Sequence, residues 1–274
     1  MRKFILFLVV FPYFILAQEK SKLIFGINAG TYLGNKNTAF LYGGNITSNG
    51  VQTILNNNNN YYSLNDFSNE FNGYPIESIS FPNSMKYNPG TEIGIHIGKE
   101  IQNSKIYVDI NFAQLKFENV VVVAVNNTTN MSVDPDYKQF AIIGKEKRNM
   151  INIGYQKNIF KEDNFSLYVP IFFQLINVEL KQNYVVINQQ PYNINHSAIN
   201  NSYQNQNPQG YGIGFGSGFV LNYFINKDVS FDLGYHGQFS QTNFSEDLKP
   251  WGMQNSIFVR LVINGTDYLK KMMN

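Results

Sequence analysis

The segment at residues 211–223, YGIGFGSGFVLNY, alternates strictly between two kinds of residue. The odd positions are almost all aromatic or aliphatic, whereas four successive even positions are glycine. Because successive side chains of a β-strand point to opposite faces, this strand has one apolar face and one nearly bare face. The bare face has too few polar side chains to be a water-facing exterior. The pattern therefore predicts a strand of a membrane barrel, with apolar side chains toward lipid and glycines toward a crowded interior.

The same period of two recurs along the chain and predicts seven further strands. The fourth strand, around residues 151–156, is the least regular, because the charged run KEKR at 145–148 interrupts its apolar side; we place that run above the bilayer. In the third strand the apolar side changes near Ala113, which predicts a β-bulge. Pro170, in the predicted strand at 165–175, is expected at another bulge. The other predicted strands are 22–34, 91–101, 105–117, 165–175, 230–241 and a last strand that follows Trp251 and includes Ile263.

The connections between these strands alternate between long and short, which is typical of outer-membrane barrels with long extracellular loops and short periplasmic turns. Long loops are expected at about 35–88, 120–140 and 182–209, with a short pairing segment at 76–81 above the membrane. Since lipid cannot hydrogen-bond to the backbone, the sheet must close on itself. The predicted fold is all-β: an eight-stranded antiparallel transmembrane up-and-down barrel. Eight strands enclose a space about wide enough for side chains, not an open channel.

The N-terminus predicts the compartment. Arg2 and Lys3 precede an apolar run from Phe4 to Leu16, and Ala17 then precedes a polar segment, as in a secretory signal peptide. The run is short for a spanning helix and contains a proline. We therefore expect a cleaved signal at residues 1–17, a barrel at 18–263, a periplasmic tail at 264–274, and a location in the bacterial outer membrane.

Composition excludes several kinds of function. The chain has no cysteine, so disulfides, thiolate metal sites and cysteine nucleophiles are excluded. Arg2 and Lys3 account for the net charge of +2, so the remaining chain is neutral and gives no electrostatic reason to expect nucleic acid as a partner. The histidines are scattered without a carboxylate cluster, so no metal ion or other cofactor is expected.

Several polar side chains fall on the predicted inner face. A turn centred between Gln102 and Asn103 sets His96 opposite Asp109. A loop centred on Glu246 sets Asp232 opposite Arg260. We expect two cross-strand ion pairs in the lumen, within a polar network of Glu92, His96, Asp109, Asp232, His236 and Arg260.

The alternative to this filling role is a catalytic site. Some small outer-membrane barrels are lipid acyltransferases or deacylases, which need a histidine in a relay with a serine and a carboxylate. His96 and His236 are predicted to face the lumen, away from lipid, and His196 lies in an Asn-rich loop. No catalytic residue is therefore assigned.

Aromatic residues near predicted strand ends are typical of the belts at membrane–water interfaces. The candidates are Tyr32, Tyr155, Phe165, Tyr211, Tyr223 and Trp251.

Some segments resemble those of a known class: ILAQ at 15–18, the strands TEIGIHIGKEI and YVPIFF, and the glycine-alternating YGIGFGSGF. The whole mature chain resembles the small outer-membrane barrels of Bacteroidota, the group with PorT-like and OmpA/OmpX-like members. We expect two departures from that class: a C-terminal tail in place of a final strand with a terminal aromatic residue, and no peptidoglycan-binding domain.

We expect a monomeric, non-enzymatic barrel in outer-membrane lipid. Its long, sparsely charged loops are expected to bind a protein partner or a surface glycan, for example as an accessory of a secretion complex. The alternatives are a narrow solute pore, a lipid-modifying enzyme and a soluble barrel of lipocalin type.

Overall fold

A computed structural model describes residues 22–43, 51, 74–82, 85–126, 134–194, 209–243 and 251–265. The predicted signal peptide and nearly all of the predicted C-terminal tail lie outside these residues. In the described part, no helix is long and apolar enough to cross a membrane.

Nearly all of the described structure is antiparallel β-sheet. Its strands are β1 (Lys22–Leu33), β2 (Ile76–Ser80), β3 (Gly90–Ile101), β4 (Ser104–Val125), β5 (Asp136–Lys161), β6 (Phe165–Ile187), β7 (Gln190–Asn193), β8 (Gln209–Phe224), β9 (Val229–Gln241) and β10 (Trp251–Asn264).

Eight of these strands form a closed ring. The order around it is β1, β3, β4, β5, β6, β8, β9 and β10, and the β1–β10 and β4–β5 pairings complete the closure. β2 lies outside the ring against β4, and β7 pairs with β6. The fold predicted from the sequence, an eight-stranded antiparallel up-and-down barrel, is confirmed.

The outer surface carries a continuous apolar belt. On β3, Ile93, Ile95 and Ile97 are exposed, and on β8 Ile213, Phe215 and Phe219 are exposed. Large apolar side chains on the other ring strands are exposed in the same way. A contiguous exposed surface of this kind is what lipid, rather than water, stabilises.

Three neighbouring strands continue well beyond this belt on the extracellular side. β4 has 22 residues, β5 has 26 and β6 has 23, whereas β1 and β3 each have 12. We call the extracellular parts of β4, β5 and β6, together with β2 and β7, the platform. The predicted loops at 120–140 and 182–209 are therefore wrong in extent, because β4 runs to Val125, β5 starts at Asp136, and β6 and β7 form a hairpin through residue 193.

The face of β4 that carries the apolar side chains changes where the strand leaves the belt. Outward positions 106–112 are apolar, and outward positions 114–118 are Gln, Lys and Glu. The inward positions become apolar at the same point: Ala113, Leu115, Phe117, Val121 and Val123 are all buried.

The bulge predicted at Ala113 is wrong. The pairing of β4 with both β3 and β5 passes through Ala113 without a register shift. The apolar side changes face because the surroundings change from lipid to water, so the apolar side chains turn from the lipid side to a protein core. The bulge predicted at Pro170 is also wrong, because the register against β8 is the same before and after it; the shifts in β5–β6 pairing lie at 145/146 and 158/160.

A segment of the first loop folds back into the mouth of the ring. It consists of a helical turn at Lys36–Ala39 and a 3-10 turn at Phe40–Gly43. The Tyr42 ring stacks on Phe117 with centroids 4.8 Å apart, and Gly144 leaves the space for it, since a Cβ at Gly144 would come within 2.1 Å of the ring. The platform therefore has its own hydrophobic core, closed from below by this segment.

Candidate functional site

Asp109 is the centre of the polar network in the membrane-embedded part of the lumen. Its Oδ1 accepts a hydrogen bond from His96 Nδ1 at 2.6 Å, and its Oδ2 accepts one from Arg260 Nη2 at 3.0 Å. Arg260 Nη1 lies 3.5 Å from Asp232 Oδ2, and Arg260 Nε donates to Asn28 at 2.6 Å. The Arg260 guanidinium on β10 thus joins two carboxylates and an amide from three other strands, which compensates part of the cost of burying the charges.

Amide side chains extend this network around the wall. Asn28 Nδ2 donates to Asn111 Oδ1 at 3.0 Å, and Asn222 Nδ2 donates to Ser230 Oγ at 2.9 Å and to Asp232 Oδ1. Gly94 leaves room for the Asn111 side chain over β3: a Cβ there would come within 1.9 Å of the Asn111 amide oxygen and 2.7 Å of the Ile110 backbone oxygen.

His236 lies between two aromatic rings. Its ring centroid is 4.9 Å from that of Phe172 and 4.7 Å from that of Phe258. The bare face of β8 and β9 makes room for these rings, since Gly216 lies beneath Phe172 and Gly234 beneath Phe258. The glycines therefore serve packing, and His236 takes part in an aromatic layer rather than in an ion pair.

Another polar layer lies nearer the extracellular mouth. Ser256 donates to the Glu92 carboxylate, and Gln254 donates to Ser240. Gln174 donates to Asn152 at 3.0 Å and also to Gln238. These side chains are buried, so neighbouring strands satisfy one another's polar groups across the lumen.

The mouth itself is closed by a second charged centre. The Glu146 carboxylate accepts hydrogen bonds from the hydroxyl groups of Tyr42 and Tyr87, each at 2.7 Å, and from Arg148 Nε at 2.5 Å. Arg148 also donates to the Tyr32 hydroxyl at 3.2 Å and to Thr38 Oγ1 at 3.2 Å. The pair therefore joins β1 and β5 to the inserted segment and to Tyr87, which precedes β3.

Burial raises the pKa of both Tyr42 and Tyr87 well above the usual value for a phenol, and the Glu146 carboxylate beside them raises it further. Both groups are therefore neutral donors across the physiological pH range. A buried carboxylate with three donors is well satisfied, so this centre acts as a structural clamp.

The inward side chains leave no open water channel through the described part of the lumen. Water in an open channel would contact the inward side chains, yet Asp109, Arg148, Gln174 and Gln254 are each 0% exposed and Arg260 is 1% exposed. His96 and His236 are enclosed at this level, without access from the lipid belt. Among the described residues, no group of three or more His, Asp or Glu side chains could hold a metal ion.

All six predicted lumen residues are buried. Four of them lie against the partners expected from the sequence, His96 with Asp109 and Asp232 with Arg260. No partner was predicted for the other two: His236 packs between aromatic rings, and Glu92 accepts a hydrogen bond from Ser256. The sequence analysis missed Glu146 and Arg148. The alternation within the run KEKR at 145–148 could have indicated them, because Glu146 and Arg148 point inward when Lys145 and Lys147 face out.

The predicted interface aromatics divide into two groups. The prediction that Tyr32 lies at the membrane interface is wrong. Its side chain is 0% exposed and lies inside the ring, where its hydroxyl contacts Gln254 and Arg148. The remaining five all have exposed side chains. Tyr155, Phe165 and Tyr223 lie toward the periplasmic turns, and Tyr211 and Trp251 lie at the extracellular ends of β8 and β10.

No family model matches the chain, and no curated protein matches it. Among solved structures it is similar to Neisserial surface protein A (9% identity, 90% of this chain and 99% of the other covered, TM-score 0.39). It is also similar to Ail of Yersinia pestis, solved with the heparin analogue sucrose octasulfate (10% identity, 89% and 98% covered, TM-score 0.36). A third is the outer membrane protease OmpT of Escherichia coli (8% identity, 88% and 94% covered, TM-score 0.24).

The chain is an outer-membrane β-barrel. A ring without free edges leaves no backbone group unpaired in lipid, and the apolar belt covers its outside.

Removing the central guanidinium tests the lumen network. Arg260→Met leaves Asp109 and Asp232 buried without their cation, so we expect the free energy of unfolding to fall by about 3–5 kcal/mol. Urea unfolding in detergent micelles, followed by the fluorescence of the single tryptophan, measures it.

The matched control is Glu118→Gln, which breaks an ion pair with Lys116 whose side chains are about half exposed. Its expected cost is under about 1 kcal/mol, because water screens the pair. Equal losses in the two variants would contradict a buried, interdependent network.

Alkaline pH tests the clamp at the mouth. The folded-state pKa of Tyr42 and Tyr87 is raised, so their contribution is fully present below the unfolded phenol pKa of about 10 and is lost as pH rises above it. The double variant Tyr42→Phe/Tyr87→Phe should be less stable than the original chain at neutral pH, and this difference should shrink above pH of about 10. Amide hydrogen exchange of β5 measures the stability of the original chain and of the double variant at each pH. A stability difference that does not change with pH would count against the clamp.

Proposed function

We propose that the protein is a closed, non-enzymatic barrel that presents a rigid extracellular platform to a protein or glycan partner at the cell surface. The single observation that carries the proposal is the hydrophobic core above the lipid belt. A barrel that only filled the membrane would not need strands that continue so far beyond it.

Rigidity supports recognition by the platform. Binding by a preformed surface avoids the entropy cost of ordering loops. The β6–β7 hairpin is an example: it ends in a two-residue turn, Asn188–Gln189, with φ values of 47° and 64°, typical of a tight type I′ connection. Exposed side chains that are available for contact include Tyr137, 67% exposed on β5.

The filled lumen argues against the pore alternative. The enclosure of His96 and His236 argues against the lipid-modifying enzyme; His196 lies outside the described residues. A role as an accessory of a larger outer-membrane or secretion complex is the finer form of the proposal. We also propose that the protein is one of the small outer-membrane barrels of Bacteroidota. Only the sequence segments that resemble that class support this.

Photo-crosslinking in cells tests partner binding. A photoreactive residue at Tyr137 should give a discrete adduct that contains protein or glycan. The control at Ile27, 69% exposed on the lipid-facing side of β1, should give lipid adducts alone. Lipid adducts alone at both positions would contradict a surface partner.

Conductance tests the closed lumen. Purified protein in a planar bilayer should produce no steady open-channel steps, because the inward side chains pack across the lumen. Steady steps would favour the solute pore and overturn this part of the proposal.

A further inference from the structure

Four lysines face outward where the platform meets the lipid belt. Lys116 lies on β4, Lys145 and Lys147 lie on β5, and Lys181 lies on β6. Lys116 is directly opposite Lys145 across the strand pair, and Gln114 is opposite Lys147. Like charges directly opposite each other destabilise a sheet unless an anion lies between them.

Neighbouring carboxylates neutralise only part of this charge. Lys116 pairs with Glu118 at 2.6 Å, and Lys181 pairs with Glu179. Glu146 lies between Lys145 and Lys147 in sequence but points inward to Arg148. Within the described ranges, neither Lys145 nor Lys147 forms an ion pair, so their ammonium groups carry the excess charge.

The lysines border a groove of about 480 Å³ on the outer wall. Thr91 and Gln114 line its membrane side, and Gln182 lines it beyond Lys181. Its polar side chains can donate hydrogen bonds to an anion that the ammonium groups attract.

The height of the groove identifies the anion. Phe112 is the last apolar outward side chain of β4 before the polar positions 114–118. Gln114 and Lys116 lie two and four residues beyond it, which is about 7 and 13 Å along the strand. Lysine side chains can bend back toward the interface, so their ammonium groups reach the headgroup layer. Acyl chains below this level would lie on the exposed belt residues Phe112, Ile151 and Ile153.

We propose that this groove binds the phosphate-bearing headgroup of an anionic lipid in the outer leaflet. The lipid phosphate lies between Lys116, Lys145 and Lys147, and its acyl chains pack on the belt beneath. The bound lipid screens the Lys116–Lys145 repulsion and fixes the depth at which the platform leaves the membrane. The site is separate from the partner-binding surface, so either proposal can fail alone.

Native mass spectrometry of the full-length barrel in detergent tests this. The probes are a bisphosphorylated glycolipid and the same lipid after phosphate removal, at equal concentration. The original chain should retain the phosphorylated lipid about tenfold better. Lys145→Gln/Lys147→Gln should lose this preference. The matched control, Lys157→Gln/Lys161→Gln, removes two exposed lysines from the periplasmic end of the same strand and should keep it.

Several outcomes would overturn the proposal. One is equal retention of the two lipids by the original chain, and another is equal loss in both double variants. Displacement of the lipid by inorganic phosphate, or by a soluble sulfated polysaccharide, as effectively as by the phosphorylated lipid itself would show that the acyl chains contribute nothing. Heat-modifiable migration on gels establishes that each variant is folded, so a loss of binding reports on the groove.

Discussion

Backbone pairing around the closed ring is the constraint on which the rest of the structure depends. In lipid each backbone N–H and C=O has to be paired within the protein, so each ring strand pairs with both of its neighbours, and the pairing of β5 with β6 shifts only at 145/146 and 158/160. That register fixes which side chains point in and which point out, and it continues without interruption where β4 passes from lipid into water. The residue types therefore change where the surroundings change. In the membrane the apolar side chains of β4 face outward to lipid, and above the membrane they face inward to the core of the platform.

This exchange gives the molecule two interiors with different chemistry. In the membrane the lumen is polar and centred on Asp109 and Arg260; above it lies a hydrophobic core of Leu115, Phe117 and their neighbours. Glu146 and Arg148 lie between the two, and they bind the segment that folds back into the mouth. The same pair closes the lumen and supports the platform, so a closed barrel and a rigid surface have a common structural cause.

Much of the ring could be predicted because period-two alternation is local and hairpin symmetry sets register. His96 opposite Asp109 and Asp232 opposite Arg260 followed from those two facts alone. The failures have one origin: a pattern shows which face is apolar but not which medium that face contacts. The change of side at Ala113 therefore predicts a bulge, and the parts of β4 and β6 beyond the belt are predicted as loops; the structure corrects both. Tyr32 was misassigned because a tyrosine at a strand end is typical of both an interface and a buried hydrogen-bonded site. Its inward position follows from the phase of β1, which Asn28 and Gly30 already indicated.

The exchange of faces on β4 is the central claim, and spin labels at single cysteines test it most directly, since the chain contains no cysteine. Labels at Phe112→Cys, Gln114→Cys and Leu115→Cys would be compared for collision with oxygen, which concentrates in lipid, and with a water-soluble metal complex. The account predicts contact with lipid at 112, with water at 114, and with neither at 115. Contact with lipid at 115 together with burial at 114, the outcome of a bulge at Ala113, would contradict it.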